Sequence, residues 1–437
     1  MADVATTTLN KPARRGVRGS LRAFIGATEI DARLMGMVIA LLVIWIGFHI
    51  MSGGNFLTPR NLWNLSVQTS SVAVMATGMV LVIVSRNIDL SVGASLGFVA
   101  MAMALLQSQL LPPILGYGNP TIWIITLAVG LAIGAGIGAF QGFLISFLGV
   151  PSFIVTLGGL LVWRGMAFEI ASGQTIAPLD TTFQLMGGGP NGSIGGTASW
   201  IVGILACIAI VGLLVSSRRR RHKFGFPVRP KWAEATIGVV SCVFVLAAVL
   251  VANSYPWPIG IARKYALDNG IVAPPGGLII PTGIANPVLI MIGVAILMTI
   301  LATRRRFGRY VFAIGGNPEA AELGGINTRW NIMKIFIVMG ILCAVSAAIS
   351  SARLNAATTS LGTLDELYVI AAAVIGGTSF AGGIGTIPGA VLGALVMQSL
   401  QSGMVLMKVD SPIQNIVVGM VLVVAVGIDT YFRRRAA

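Results

Sequence analysis

The sequence predicts an all-α fold, a polytopic transmembrane helical bundle of about 10–12 spans, and three observations carry that prediction. The chain is 56% hydrophobic and only 10% charged, whereas a soluble domain of this length carries about a quarter charged residues. Several apolar runs reach the roughly 20 residues that a helix needs to cross a bilayer. The net charge of +15 is gathered at Arg14, Arg15, Arg18 and Arg22 and at residues 218–221, 304–306 and 433–435. Each cluster abuts an apolar run, as the positive-inside rule expects of cytoplasmic segments. The loops assigned to the opposite side hold only Arg60, Arg263, Lys264 and Lys408. Both termini are therefore expected in the cytoplasm. No basic stripe is interleaved with aromatic residues, so the charge reports topology and nucleic acid is not expected as a partner.

Taken in order, residues 1–33 form a basic cytoplasmic tail with no cleavable signal, and residues 34–431 form the transmembrane domain. The first span covers 34–51. Residues 55–70 carry Pro59 and scattered polar side chains. They read as an interfacial helix opening at Thr58 and Pro59, with Trp63 at headgroup depth. Residues 71–84 return. The polar stretch 85–91 then precedes an apolar run, 92–106. A carboxylate so close to hydrocarbon either marks function or caps the following helix, with Ser91 helping Asp89. A helix end facing a pore entrance satisfies both.

Residues 121–147 carry Gly130, Gly134, Gly138 and Gly142 at every fourth position. This bare helix stripe lets another backbone approach closely. Gly385, Gly389 and Gly393 repeat the pattern later. Residues 151–172 hold Arg164 and Glu169, both expected to snorkel near a span end. The glycine-rich segment 173–198 lacks Lys and Arg and is expected in the periplasm. Spans at 199–215 and 235–252 flank the basic hairpin. A second periplasmic loop, 253–286, carries Pro256, Trp257, Pro258, Pro274 and Pro275, which suits an irregular platform at the membrane surface. Further spans follow at 287–302, 335–351, 364–377, 385–406 and 413–428, before a cytoplasmic tail, 432–437. Broken or re-entrant helices near Asp365 and Ser379 would move the count by about two.

The cytoplasmic loop 303–334 is a polar island between two apolar runs. Pro318 suits a first helical turn, and Glu319 and Glu322 suit a positive helix N-terminus. Gly324 and Gly325 stop that helix. A short capped helix between two spans is a docking knob. Catalytic chemistry is not apparent. No Gly-Lys dipeptide occurs, so no phosphate-cradling loop is built. Nor is there a zinc-binding His pair. Cys207, Cys242 and Cys343 read as packing residues, and His49 and His222 are too few for a metal cluster. Neither cofactor nor metal is expected, and the chain is not expected to be an enzyme. Asp89, Asp365, Glu366 and Asp429 lie near span ends, whereas an ion-coupled carrier places ionisable groups at mid-membrane.

Glu319-Ala320-Ala321, three residues, then Gly325 resembles the EAA-x3-G coupling loop of membrane subunits of ATP-binding-cassette importers. The wider GGNPEAAELGGIN, with residues 88–93, 150–157 and 375–383, is similar to the monosaccharide branch, the ribose and xylose permeases. The long middle of this chain is closer to the xylose permeases, and the resemblance runs from about residue 55 to 429. It implies the translocation subunit of a binding-protein-dependent monosaccharide importer in the bacterial inner membrane. D-xylose is the favoured sugar. Ribose import, or an ion-coupled secondary carrier, is the alternative. The implied partners are a cytoplasmic ATP-binding subunit, a periplasmic sugar-binding protein, a second permease copy and membrane lipid. The resemblance assigns ATPase coupling to Asn317, Pro318, Glu319, Ala320, Ala321, Gly325, Ile326 and Asn327. It suggests a substrate path at Asp89, Ser91, Thr378, Ser379 and Phe380.

Overall fold

The computed structural model describes residue 29 and residues 32–271 and 277–436. The expected N-terminal tail lies almost wholly outside the described residues, as do Pro274 and Pro275. In chain order the helices are α1 (Ala32–Met51), α2 (Pro59–Val84), α3 (Val92–Leu105), α4 (Ile122–Ser146), α5 (Ser152–Ile170), α6 (Gly195–Lys223) and α7 (Lys231–Asn253). Then come α8 (Ile259–Asp268), α9 (Asn286–Arg304), α10 (Arg306–Gly316), α11 (Pro318–Leu323) and α12 (Thr328–Leu354). The chain closes with α13 (Asp365–Ile375), α14 (Ile387–Leu406) and α15 (Ser411–Ala436). Among the described residues no strand forms beyond isolated bridges, such as Ile176 with Ala357.

Among the described residues ten helical segments are long and apolar enough to cross a membrane, α3 through its continuation to Leu115. Two more have the right place in the order but a weaker signal. The 11-residue α13 is short for a span, and the apolar part of α15 is confined to Ser411–Gly427. The α15 helix itself runs through the segment expected to be a C-terminal tail.

The centre of the bundle is α2, whose most apolar stretch is 94% buried. This corrects the reading of residues 55–70. From Pro59 on they are the first half of one continuous helix, capped by the Thr58 hydroxyl, which accepts from Asn61 N. Trp63 lies inside the bundle, with Nε1 donating to the Gly283 carbonyl at 2.9 Å. The polar side chains that suggested an interface, among them Asn61, Asn64 and Gln68, face a cavity at that end of the bundle.

The glycine stripe of α4 packs on α12. A Cβ at Gly134 would overlap the Gly340 carbonyl, and one at Gly138 the Phe336 carbonyl. Gly142 meets the backbone of Met333 in the same way, while Gly130 meets Met103 of α3. Contacts of this kind let two helix backbones approach where any side chain would hold them apart. Gly389 and Gly393 bring α14 onto the carbonyls of Gly376 and Ala372. At the edge, α6 and α7 pair chiefly with each other, and their apolar stretches are only 11% and 17% buried.

Candidate functional site

The chain returns to one end of the bundle at four places far apart in sequence. They are the end of α2 with residues 85–91, the start of α5, the segment from α10 to α12, and the link between α13 and α14.

The short helix α11 is built as its residues dictate. Asn317 Oδ1 accepts from Ala320 N at 3.0 Å and caps the helix, with Pro318 following. At the other end Gly324 N donates to the Ala320 carbonyl and Gly325 N to the Glu322 carbonyl. Gly325 then turns with φ +80°, a conformation only glycine adopts without strain. Asn327 Oδ1 accepts from Trp330 N and so starts α12, while Thr328 Oγ1 donates to Glu322 Oε1 at 2.8 Å. Two caps and one side-chain clasp make α11 and the start of α12 a single braced unit.

Glu319, Ala320, Glu322 and Leu323 are exposed. Ala321 is not: it is 6% exposed and packs inward. It seats the helix on its own chain. Leu323 is 92% exposed, a bare apolar side chain at the tip of the helix. Sequence reading passed over it, since a Leu in so hydrophobic a chain carries no signal. It also passed over α10, an amphipathic helix whose buried Val311, Ile314 and Gly315 deliver the chain to α11.

Arg86 ties this unit to α2. Its Nε donates to the Gly315 carbonyl and its Nη2 to the Gly316 carbonyl, each at 2.7 Å. Gly383 N donates to the Val84 carbonyl at 3.0 Å. Gly315, in turn, packs so closely on Val84 and Gly383 that a Cβ there would overlap backbone. Three sequence motifs thus meet within a few residues of Gly315.

The fourth motif holds the 85–91 segment from the other side. Ser152 Oγ accepts from Ile88 N, and Thr156 Oγ1 donates to the Ile88 carbonyl, both at 3.3 Å. Asp89 is 3% exposed, and its Oδ1 accepts from Ser91 N at 2.9 Å and from Ser91 Oγ at 2.7 Å. Gln141 Nε2 donates to Ser91 Oγ at 2.9 Å. Burial pushes the Asp89 carboxyl above its ordinary range, and the two hydrogen bonds from Ser91 oppose that shift. Asp89 does not cap α3. Ser91 occupies the cap position and makes no side-chain capping bond; the carboxylate instead folds its own turn.

Thr378 and Ser379 are fully buried. Ser379 N donates to the Ile384 carbonyl and Ser379 Oγ accepts from Ala381 N. Phe380 packs half-buried against the core. Asp89, Ser91, Thr378 and Ser379 are therefore sealed inside this end of the bundle in the conformation seen, rather than exposed along an open channel. Arg164 is also turned inward, correcting the expectation that it snorkels. It donates to the carbonyls of Leu361 at 2.8 Å and Thr359 at 3.2 Å, fastening α5 to the loop before α13.

Among the described residues no group of His, Cys, Asp and Glu side chains is arranged to hold a metal ion. Over residues 61–426 the chain matches the family model described as "Branched-chain amino acid transport system / permease component". It is 34% identical over 413 residues to the xylose transport system permease protein XylH of Escherichia coli, covering 94% of this chain and 95% of that protein. It is 36% identical over 410 residues to the XylH protein of Haemophilus influenzae, covering 93% and 98%. The ribose import permease protein RbsC of Escherichia coli is 30% identical over 392 residues, covering 90% and 92%. No solved structure matches the chain.

Proposed function

The chain belongs to the branched-chain amino acid transport system permease family, and from that premise we infer that it is the membrane-spanning subunit of an ATP-driven importer of D-xylose. The observation that carries this reading is the braced, exposed helix α11, tethered through Arg86 to the central helix α2. A chain with no phosphate-binding loop needs a place where another subunit can push, and a rigid knob joined to the core is such a place. The preference for xylose rests on relatives at 34% and 36% identity that bear that name, against 30% for the ribose permease.

On this reading a cytoplasmic ATP-binding subunit docks on α11, through Glu319, Ala320 and Leu323. Asn317, Pro318, Gly325, Ile326 and Asn327 hold the shape of the docked segment. A periplasmic binding protein delivers sugar to the opposite end of the bundle. A second copy of the chain completes the path across the inner membrane. Asp89, Ser91, Thr378, Ser379 and Phe380 form the closed inner end of that path. The chain supplies path and coupling and carries out no covalent step.

The test is reconstitution of the chain in vesicles with its ATP-binding subunit and its binding protein. Xylose should stimulate ATP hydrolysis and enter the vesicle, with ribose doing so less. Uptake that survives without ATP and collapses with the proton gradient would establish an ion-coupled carrier instead.

A further inference from the structure

The end of the bundle away from α11 holds a cavity of about 440 Å³, bounded by the first half of α2, the last turn of α12, the start of α13 and the second half of α14. Its size is within the range of about 300–1,000 Å³ typical of small-molecule sites. The position follows from the chain direction. Residues 84, 328 and 387 lie at the α11 end of α2, α12 and α14, so residues 61–72, 350–354 and 398–406 lie at the other.

The cavity lining is rich in amides. Asn64, Gln68, Gln398 and Gln401 all face it. Among the described residues these four side-chain amides make no hydrogen bond within the protein, although Gln398 is only 5% exposed. Their amide groups open onto the cavity instead, free to pair with whatever fills it. Arg353 and Asp365 share the lining without forming an ion pair with each other. Below them Ser71 Oγ hydrogen-bonds Ser350 Oγ at 2.7 Å and reaches Ser346 Oγ one helical turn nearer the α11 end. A run of hydroxyls therefore leads from the cavity into the bundle.

We propose that this cavity is a sugar-holding vestibule in the permease itself, in which the amides of Asn64, Gln68, Gln398 and Gln401 hydrogen-bond the hydroxyls of a neutral monosaccharide. Each sugar hydroxyl both donates and accepts, and each amide offers donors and an acceptor on one side chain. Among the described residues no aromatic ring lines the cavity, so the contacts are polar and exchangeable. Such a site captures a released sugar yet lets it go, as passage through a membrane path requires. The proposal rests on the importer reading above, and it adds selectivity within the permease.

The test uses the complete reconstituted complex with a Gln68→Leu, Gln398→Leu double variant, which keeps similar side-chain volumes while removing both amides. Xylose uptake should fall roughly tenfold or more, the loss expected from one or two hydrogen bonds. ATP hydrolysis stimulated by the loaded binding protein should stay within about twofold, so that sugar moved per ATP drops. Uptake unchanged, or uptake and hydrolysis falling together, would overturn the proposal. A milder variant, Gln401→Cys, guards against misfolding. Its labelling by a small impermeant thiol reagent should slow in millimolar xylose and not in millimolar mannitol; equal rates in the two would also overturn it. Failure of the wild-type complex to import any sugar with ATP would refute the importer reading itself, which is a separable result.

Discussion

Replacing Arg86 by glycine separates the strength of the fold from the transmission of force. Arg86 sits with φ +63°, a left-handed conformation that costs a side-chain-bearing residue about 1–2 kcal/mol and costs glycine nothing. That relief offsets most of what the substitution removes from folding. Two hydrogen bonds are lost, from Nε to the Gly315 carbonyl and from Nη2 to the Gly316 carbonyl. A hydrogen bond from a charged group contributes about 1.5–3 kcal/mol. The Nη2 bond is exposed and is weakened by solvent, so the pair together comes to about 2–3 kcal/mol. For the folded bundle the net loss is therefore only about 0–2 kcal/mol. For the seating of α10 and α11 on α2 there is no offset, and about 2–3 kcal/mol shifts the seated population by roughly 30- to 150-fold. The variant should therefore insert, purify and melt like the parent in detergent, while sugar moved per ATP falls at least about tenfold. Arg86→Lys, with one ammonium in place of the fork, should recover part of that loss. A glycine variant that transports with the parent's ATP ratio would refute the tether.

Four further outcomes follow from the same geometry. Gly138→Ala should destabilise the bundle by about 1–3 kcal/mol, because its methyl meets the Phe336 carbonyl; Gly136→Ala, which meets nothing within 4 Å, should be neutral, and melting in detergent compares the two. Gly325→Trp puts a bulky residue at φ +80° and should leave the chain inserted but no longer able to drive uptake, checked by co-purification of the ATP-binding subunit. Arg221 and Arg229 hold the Glu29 carboxyl down from its ordinary 4.5 to about 2. A depressed carboxyl favours the contact above the ordinary value and loses it as pH falls toward the depressed one, so cross-linking of positions 29 and 229 should persist at neutral pH and disappear between about pH 4 and pH 2. Arg219→Cys should react with an impermeant thiol reagent only in inverted vesicles and Asn191→Cys only in intact cells; the reverse would overturn the proposed sidedness.

The span pattern was legible because membrane helices announce themselves by length and apolarity, which do not depend on their neighbours. The capped helix α11 was equally legible, since Asn317, Pro318, Gly324 and Gly325 act within one turn. What could not be read was orientation about a helix axis. Asn61, Asn64 and Gln68 look interfacial along the chain, and only the packing of α12 and α14 reveals that they face a cavity. Ala321 and Leu323 differ by two positions, yet one is buried and the other bare. The tether escaped for a related reason. Arg86 and Gly315 are 229 residues apart, and a lone arginine at the end of a span reads as a topology signal whatever it touches.

The two proposed working parts, α11 and the vestibule, are joined by two continuous helices. Helix α12 begins at the Asn327 cap beside α11 and ends with Ser350 and Arg353 at the cavity. Helix α2 begins with Asn61 and Asn64 at the cavity and ends with Val84, which meets Gly383 and Gly315. Bending α12 alone would open its backbone contacts with Gly134, Gly138 and Gly142 of α4, which extend over more than two turns. Close-packed interiors resist such deformation and respond instead by shifting between discrete arrangements. A push on α11 is therefore delivered at the vestibule as a rigid displacement of α12 with α4. Such a displacement changes which amides face one another, and so can release a sugar held only by exchangeable hydrogen bonds. Spin labels at Leu323 and at Arg353, the cavity end of α12, should then both change their distance to a label on α2 when ATP binds, together with a label pair joining α4 to α2. Movement at Leu323 with no change at Arg353 would show that the helix bends, and would break the mechanical link between the two ends.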